Sequence, residues 1–334
     1  MSQTQAFGGI TLADVEAAQE RVRGRVHRTP LLSSRTLGER IGAGGPVWLK
    51  AENLQKTGSF KPRGALNQIE QLSAEEKARG VITVSAGNHA QGVAWAAAAA
   101  GVKAVVVMAE AASPVKVAAT RGYGAEVVLH GANNTEAFAE MERLARERGL
   151  TLIHPFDAPA VIAGHGTVGL EVLEDLPEFG QGAGAGRDTV VVGIGGGGLI
   201  SGIAVALKAQ RPSARIIGVE PRGAAAMTES LRAGKVVPLT SSQTIADGLA
   251  APFAGQRTLA IVQQLVDDVV LLDDDAILDG LRFLLERAKL VAEPAGAAAT
   301  AALLTGAVPV EPGATVVAIV SGGNVDRERL RGYL

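Results

Sequence analysis

Val190-Val191-Val192-Gly193-Ile194-Gly195-Gly196-Gly197-Gly198-Leu199-Ile200-Ser201-Gly202 reads as an apolar strand, a turn of four consecutive glycines and the start of an apolar helix. Glycines in such a run cost roughly a kcal/mol each in chain entropy. With side chains absent, backbone N–H groups can close around a guest, and phosphate is the usual one at a helix start. The plainer alternative is a loose turn. A strand continuous in valine is expected where helices cover both faces of a sheet.

Outward from this turn the same order repeats. Val47 to Lys50, Gly80 to Ser85, Ala104 to Met108, Glu126 to Leu129, Arg215 to Glu220 and Val316 to Val320 read as further strands beside Val190 to Val192. Ala90 to Ala100, Thr135 to Arg148, Leu199 to Gln210 and Asp274 to Ala288 read as helices, and Thr11 to Val26 as a helix stopped at Thr29-Pro30. The alternation predicts an α/β protein with parallel sheets, and no repeat of solenoid period interrupts it. Gln181 to Gly186 reads as a flexible, exposed loop of no catalytic interest.

The chain of 334 residues is long enough for two domains of ordinary size. Lysine and arginine number 32 against 34 acidic residues, which argues against nucleic acid or an anionic membrane as partner. Cysteine is absent, so disulfides, thiolate nucleophiles and cysteine-bound metal clusters are excluded. Met1 to Ile10 lacks the basic and apolar regions of a secretory signal, and a cytoplasmic location is expected. Val81 to Val102 carries no formal charge, but its Asn88, His89, Gln91 and three glycines argue against a membrane span.

Four segments carry groups suited to chemistry. In Lys56-Thr57-Gly58-Ser59-Phe60-Lys61-Pro62-Arg63-Gly64, Ser59 can cap a helix and Pro62 suits its first turn. Lys61 then sits where the chain changes direction; an amine partly desolvated there has a lowered pKa and can form a Schiff base. Taken alone, the segment also reads as a solvated loop. Ser85-Ala86-Gly87-Asn88-His89 lies between a strand end and a helix start, where exposed amides suit a carboxylate or phosphate, or where Ser85 and Asn88 merely cap. The glycine tract is the third. Val316-Val317-Ala318-Ile319-Val320-Ser321-Gly322-Gly323-Asn324 is the fourth, a buried strand ending in a hydroxyl and two glycines that leave room for a planar ligand. Glu293-Pro294-Ala295-Gly296 could set a carboxylate at a helix start, and Asp273-Asp274-Asp275 reads as a helix cap, not a metal site.

Gly193, Gly195 and Gly198 also satisfy G-x-G-x-x-G, with Glu220 ending the next strand 22 residues after Gly198. That is a dinucleotide fingerprint, and it keeps a nicotinamide oxidoreductase as an alternative. Such an enzyme would explain neither the Lys61 segment nor Ser321-Gly322-Gly323-Asn324.

Taken together and in this order, the segments resemble the fold-type II pyridoxal-phosphate enzymes, in the threonine dehydratase (deaminase) and serine racemase branch. The resemblance runs from His27-Arg28-Thr29-Pro30-Leu31 to Ser321-Gly322-Gly323-Asn324. It implies a two-lobed α/β enzyme like the β subunit of tryptophan synthase. Residues 1–72 and 158–334 would form the large cofactor-binding domain, and 73–157 a small domain closing over the substrate. Lys61 would be the Schiff-base lysine for pyridoxal 5′-phosphate, with Phe60 against the cofactor ring. Asn88 would donate to the ring hydroxyl oxygen, and Ser321 would bond the pyridine nitrogen. The amides of Gly195, Gly196, Gly197 and Gly198 would hold the phosphate, and Glu293 would sit near the ring. Ser85, Gly87, Asn88 and His89 would receive the substrate carboxylate.

The implied reaction is dehydration and deamination of L-threonine, with L-serine second, to a 2-oxo acid and ammonia. A serine racemase or hydroxyaspartate dehydratase would share the same site. Where racemases of this branch carry a serine as second base, this chain has Ala86, which favours dehydration. Relatives with a divalent-cation site pair a glutamate with an aspartate six residues later; here Glu220 is followed by Ala226, so no metal is expected. The chain ends ten residues after Asn324, so the regulatory extension of large biosynthetic relatives is not expected. A homodimer or homotetramer is implied.

Overall fold

The valine- and isoleucine-rich runs become the strands of two sheets in the computed structural model, which describes residues 5–181 and 186–334. The larger sheet has the order β1-β2-β10-β7-β8-β9. Its strands are β1 (Leu31–Ser33), β2 (Val47–Lys50), β7 (Thr189–Gly193), β8 (Arg215–Pro221), β9 (Asp268–Leu272) and β10 (Val316–Ile319). The smaller sheet has the order β5-β4-β3-β6, from β3 (Val81–Val84), β4 (Ala104–Met108), β5 (Glu126–Leu129) and β6 (Thr151–Leu152). Among these strands β1 alone pairs antiparallel; every other pairing is parallel.

Helices α1 (Leu12–Val22), α2 (Arg35–Ile41), α3 (Lys61–Glu70) and α4 (Ala74–Arg79) precede the small sheet in the chain. Its strands are joined by α5 (Asn88–Ala99), α6 (Pro114–Gly122) and α7 (Asn134–Arg148), and α8 (Pro159–Asp175) leads to the large sheet. There follow α9 (Gly198–Gln210), α10 (Ala226–Ala233), α11 (Gln256–Leu265), α12 (Asp274–Phe283), α13 (Pro294–Leu304) and α14 (Arg327–Tyr333). Parallel strands need such crossovers, and the crossovers cover both sheet faces. Val190, Val191, Val192, Val316 and Val317 are accordingly buried outright, each fully buried side chain contributing about 1.5–3 kcal/mol.

Three helices depart from the sequence expectation by more than one residue or in the kind of their last turn. The helix expected over Thr11 to Val26 stops at Val22, because Arg23 turns to φ −54, ψ 130 and Gly24 takes φ +72. The helix expected from Asp274 to Ala288 is α-helical only to Phe283; the last turn, Leu284–Ala288, widens to π and ends at Lys289 with φ +58. The helix expected from Ala90 begins two residues earlier, so Asn88 and His89 are its first turn. Of the loop expected at Gln181 to Gly186, residues 182–185 lie outside the described residues. The charge-free stretch from Val81 to Val102 is β3 followed by α5, and no described helix is long and apolar enough to cross a membrane.

Glycine lets α8 approach its neighbours backbone to backbone. A Cβ on Gly164 would lie 2.5 Å from Arg63 O on α3, and one on Gly202 of α9 would lie 2.3 Å from Ile162 O. Beneath this contact a cluster of four buried charges ties the layers together. Arg63 is fully buried and donates to Glu52 Oε1 and Oε2 and to Glu171 Oε1 and Oε2 at 2.6–2.9 Å. Lys50 Nζ reaches Glu171 Oε2 at 2.6 Å, leaving two cations against two anions. The adjacent guanidinium and ammonium hold the Glu171 carboxyl below its usual range despite burial.

Candidate functional site

β2, β10 and β7 are neighbours, run in parallel and therefore end on the same edge of the sheet. The chain leaving β2 reaches Lys61, the chain leaving β10 reaches Ser321, and the chain leaving β7 is the glycine turn. Ligands in open α/β sheets bind outside these carboxyl ends. In the small sheet β3 ends at Val84, and Ser85-Ala86-Gly87 leads directly into α5. The four segments singled out in the sequence thus follow four strand ends.

Hydrogen bonds fasten three of them, all but the glycine turn, to one another. Phe60 N donates to Ser321 O at 3.2 Å and Gly323 N to Gly58 O at 2.9 Å, joining the Lys61 and Ser321 segments across the Ser59–Gly322 bridge. Asn324 Nδ2 donates to Thr57 O at 2.7 Å and to Asn88 Oδ1 at 2.8 Å. Asn88 Nδ2 in turn donates to Glu293 Oε1 at 2.5 Å, and Glu293 N donates to Gly322 O at 3.1 Å. One hydrogen of Asn88 Nδ2 is left over for a further acceptor. A Cβ on Gly322 would fall 2.4 Å from Glu293 Oε1, and one on Gly296 2.0 Å from Gly322 O, so these approaches require glycine. Thr57 makes the tight turn at φ +61, a strained angle for a β-branched residue.

Lys61 opens α3, with Pro62 beside it in the first turn. Its Nζ donates to Pro155 O at 2.8 Å and lies 4.9 Å from the centre of the Phe60 ring. Burial lowers the amine's pKa to about 8, against an opposing pull from the Glu293 carboxylate. Burial in turn raises the Glu293 carboxyl to about 7, partly offset by the Asn88 hydrogen bond. Three of the five histidines stand close enough to Lys61 to feel its charge: His89, His154 and His165. Desolvation holds all three below the usual imidazole value, His89 at about 3.

The glycine turn sits at the N-terminus of α9. Gly197 has φ +92, and a Cβ there would lie 2.7 Å from Met227 Cε and 2.8 Å from Thr258 Cβ. A Cβ on Gly196 would enter the Phe156 ring at 2.3 Å, and one on Gly198 would meet Phe156 O at 2.7 Å. Thr258 Oγ1 donates to Gly196 O at 2.7 Å and Gly255 N to the same oxygen at 3.3 Å, fixing the peptide planes. Among the described residues the N–H groups of Gly195, Gly196 and Gly197 donate to no backbone or side-chain acceptor. Free amides at a helix start suit an anionic group.

The remaining expected residues fall around this frame. Ser85 Oγ accepts from Gly87 N at 3.1 Å, and a Cβ on Gly87 would meet nothing within 4 Å, so the loop borders open space. The His89 ring is turned inward, Nε2 lying 3.0 Å from Ile153 O. Ser321 is buried, with Oγ only 3.4 Å from Ala295 O, a weak contact that leaves the hydroxyl able to serve a ligand. Phe60 meets His165 edge to face, 4.7 Å between ring centres.

The sequence reading missed one segment, His154-Pro155-Phe156-Asp157. It supplies the acceptor for Lys61, the ring against the glycine turn and the cap of α11, where Asp157 accepts from Gln256, Arg257 and Thr258 N at 3.0–3.1 Å. No local pattern marks it; only a histidine-proline pair after a two-residue strand hints at a special turn. His165 was missed as well. It is fully buried, neither ring nitrogen makes a well-formed hydrogen bond among the described residues, and a Cβ on Gly64 would touch its Nε2 at 2.5 Å.

These residues fit pyridoxal phosphate by the chemistry of their donors: a buried primary amine of lowered pKa for an aldehyde, free glycine amides for a phosphate, and a buried neutral hydroxyl for a ring nitrogen. Comparisons agree. The family model described as pyridoxal-phosphate dependent enzyme matches residues 22–322. The chain is 45% identical over 327 residues to the catabolic L-threonine dehydratase of Staphylococcus aureus (strain N315), covering 97% of this chain and 92% of that protein. The crystal structure of a T.th. threonine deaminase matches with TM-score 0.86 and 44% identity, over 94% of this chain and 98% of that one. Maize serine racemase matches with TM-score 0.90 and 40% identity, over 97% and 96%.

Proposed function

Because the chain belongs to the pyridoxal-phosphate dependent enzyme family, we propose that it is an ammonia-lyase removing water and then ammonia from L-threonine, with L-serine second. The products are a 2-oxo acid and ammonia. The observation that carries the reading is the amine of Lys61: lowered to about 8 by burial, held by Pro155 O, and set where four strand ends meet.

When bound, the cofactor supplies an electrophilic carbonyl and a conjugated ring that draws electron density from the substrate Cα. Lys61 would hold it, and the amides of Gly195, Gly196, Gly197 and Gly198 would hold its phosphate. Phe60 would pack on its ring, Asn88 would donate its remaining Nδ2 hydrogen to the ring hydroxyl oxygen, and Glu293 would stand beside it. The chain's own residues then do the following. The α5 start would receive the substrate carboxylate on the N–H groups of Asn88 and His89 and the Ser85 hydroxyl, since Ser85 N is held by Val107 O, Gly87 N by Ser85 Oγ and the His89 ring by Ile153 O. Once released from the cofactor, neutral Lys61 Nζ would take the α-proton while one of its N–H groups stays on Pro155 O. Ser321 offers a neutral hydroxyl where an aspartate would place a charge. Positive charge at that end of the ring goes unsupported, which favours loss of the β-hydroxyl over transamination.

Residues 73–157 act in this reading as a small domain closing on 1–72 and 158–334, in a cytoplasmic homodimer or homotetramer. Glu220, buried, commits its oxygens to Met227 N, Thr228 N and Thr228 Oγ1 at 2.6–2.8 Å, so turnover is expected to survive a chelator. The likeness to maize serine racemase favours racemisation as the second reading; Ala86 offers no base on the opposite face and argues against it.

The test is Lys61→Ala. Wild type is expected to be yellow, to be bleached by borohydride and to release ammonia and a 2-oxo acid from threonine. The variant should lose the bleachable colour and all turnover. A variant keeping the wild-type rate, or borohydride fixing the cofactor at another lysine, would end the proposal.

A further inference from the structure

Four consecutive residues, reached one residue after β6 leaves the small sheet, touch the lysine, the glycine turn and the start of α11. His154 Nδ1 accepts from two backbone amides at once, Phe156 N at 3.2 Å and Asp157 N at 2.9 Å. Between these anchors, Pro155 O takes the Lys61 amine at 2.8 Å. The Phe156 ring packs edge-on against the His154 ring, 4.7 Å between centres at 89°, and lies on Gly196. Asp157 caps α11, whose Thr258 fixes Gly196 O. A single lone pair therefore sets the turn that aims the amine and shields the glycine tract.

We propose that His154 is a positioning residue for the reaction: its unprotonated Nδ1 pins the Pro155–Asp157 turn, and protonation of the imidazole releases that turn. The inference rests on the lyase reading and assigns the site a control of its own. Two amide donors on Nδ1 fix the neutral tautomer with the proton on Nε2. An imidazolium has no acceptor nitrogen, so Phe156 N and Asp157 N would face an N–H instead. The ionisable groups bearing on this ring are Lys61 from α3, His89 from α5 and Asp157 from the turn itself. Burial outweighs the Asp157 carboxylate and lowers the His154 pKa from 6.5, so the pin is complete above that pH and is lost as pH falls through the lower value.

Two variants separate positioning from bulk packing. His154→Asn keeps an acceptor near the position of Nδ1 but cannot be protonated; His154→Leu keeps bulk and has no acceptor. Holoenzyme of each is followed from about pH 5 to 9 by kcat/KM for threonine and by the rate at which bound cofactor leaves on dilution. In wild type both signals should break below pH 6.5. The leucine variant is expected to lose roughly tenfold or more in kcat/KM at about pH 8 and to release cofactor faster at every pH. The asparagine variant should recover most of that loss and lack the acid break in cofactor release. An asparagine variant with the wild-type acid break overturns the proposal, as does a leucine variant indistinguishable from wild type; the first arm stands even if the leucine variant fails to fold. Failure of the lyase reading would look different, since wild type itself would then carry no bleachable colour and make no 2-oxo acid.

Discussion

Replacing Arg63 by methionine isolates the strongest long-range tie under the site. The guanidinium is fully buried and shared between Glu52, from the segment after β2, and Glu171, from α8. With Arg63→Met, Glu171 keeps Lys50 at 2.6 Å, but Glu52 keeps only the hydroxyl of Thr29. One carboxylate is stranded without a counter-charge at zero exposure. Breaking a buried pair in this way costs about 3–5 kcal/mol. Unfolding entropy near 60 °C scales to about 0.7 kcal/mol per degree for 334 residues, so the midpoint should fall by about 4–7 °C. The control is Arg28→Ala, which removes an ion pair with Glu174 and Asp175 on a half-exposed surface. That pair is worth under about 1 kcal/mol, hence a shift below about 1.5 °C. Scanning calorimetry at one scan rate and one cofactor concentration reads both. Adding Glu52→Gln to Arg63→Met should return part of the loss by removing the stranded charge. If Arg63→Met shifts the midpoint no more than Arg28→Ala does, the buried cluster does not hold the layers together and the reasoning fails.

Three further predictions bear on the site. Gly197→Ala imposes a side chain at φ +92 and within 2.7 Å of Met227, so cofactor should leave at least tenfold faster, as read by loss of its absorbance on dilution; unchanged retention would contradict a phosphate at this turn. Because burial lowers Lys61 to about 8, cofactor uptake by apoprotein should climb about tenfold per pH unit below 8 and level off above it, whereas an ordinary lysine would still be climbing at about pH 10. Ala86→Ser should raise racemisation relative to elimination on L-serine, measured by chiral chromatography beside 2-oxo acid formation; an unchanged ratio would show that position 86 is not where the second base acts.

Much of this protein was open to reading in one dimension. The glycine tract, Lys61, Ser85 to His89 and Ser321 each lie within one short segment, because each follows a strand end, and a strand end with its turn is contiguous in sequence. Spacing alone made Glu293 a carboxylate at a helix start, and the resemblance set it near the ring; that it accepts from Asn88 Nδ2, and that Asn324 accompanies it, depends on segments more than two hundred residues apart. A helix end was misjudged where a single backbone angle decides, at Arg23, whereas the end before Lys289 fell where expected and only the widening of its last turn to π was unforeseen. Arg63 looked like a loop charge and is instead fully buried, since its partners at 52 and 171 arrive from elements that no local pattern connects to it.

The order of apolar runs and glycine turns by itself determined the parallel architecture and pointed to a phosphate-bearing ligand, whose identity came from the resemblance, because continuous valine runs and missing side chains act over a few residues. Which carbonyl faces the lysine, which ring covers the turn and which imidazole fixes them was decided only by tertiary structure. Those contacts depend on angles between helices and sheets built from distant parts of the chain, and a hydrogen bond made at 2.8 Å has no counterpart in spacing along a sequence.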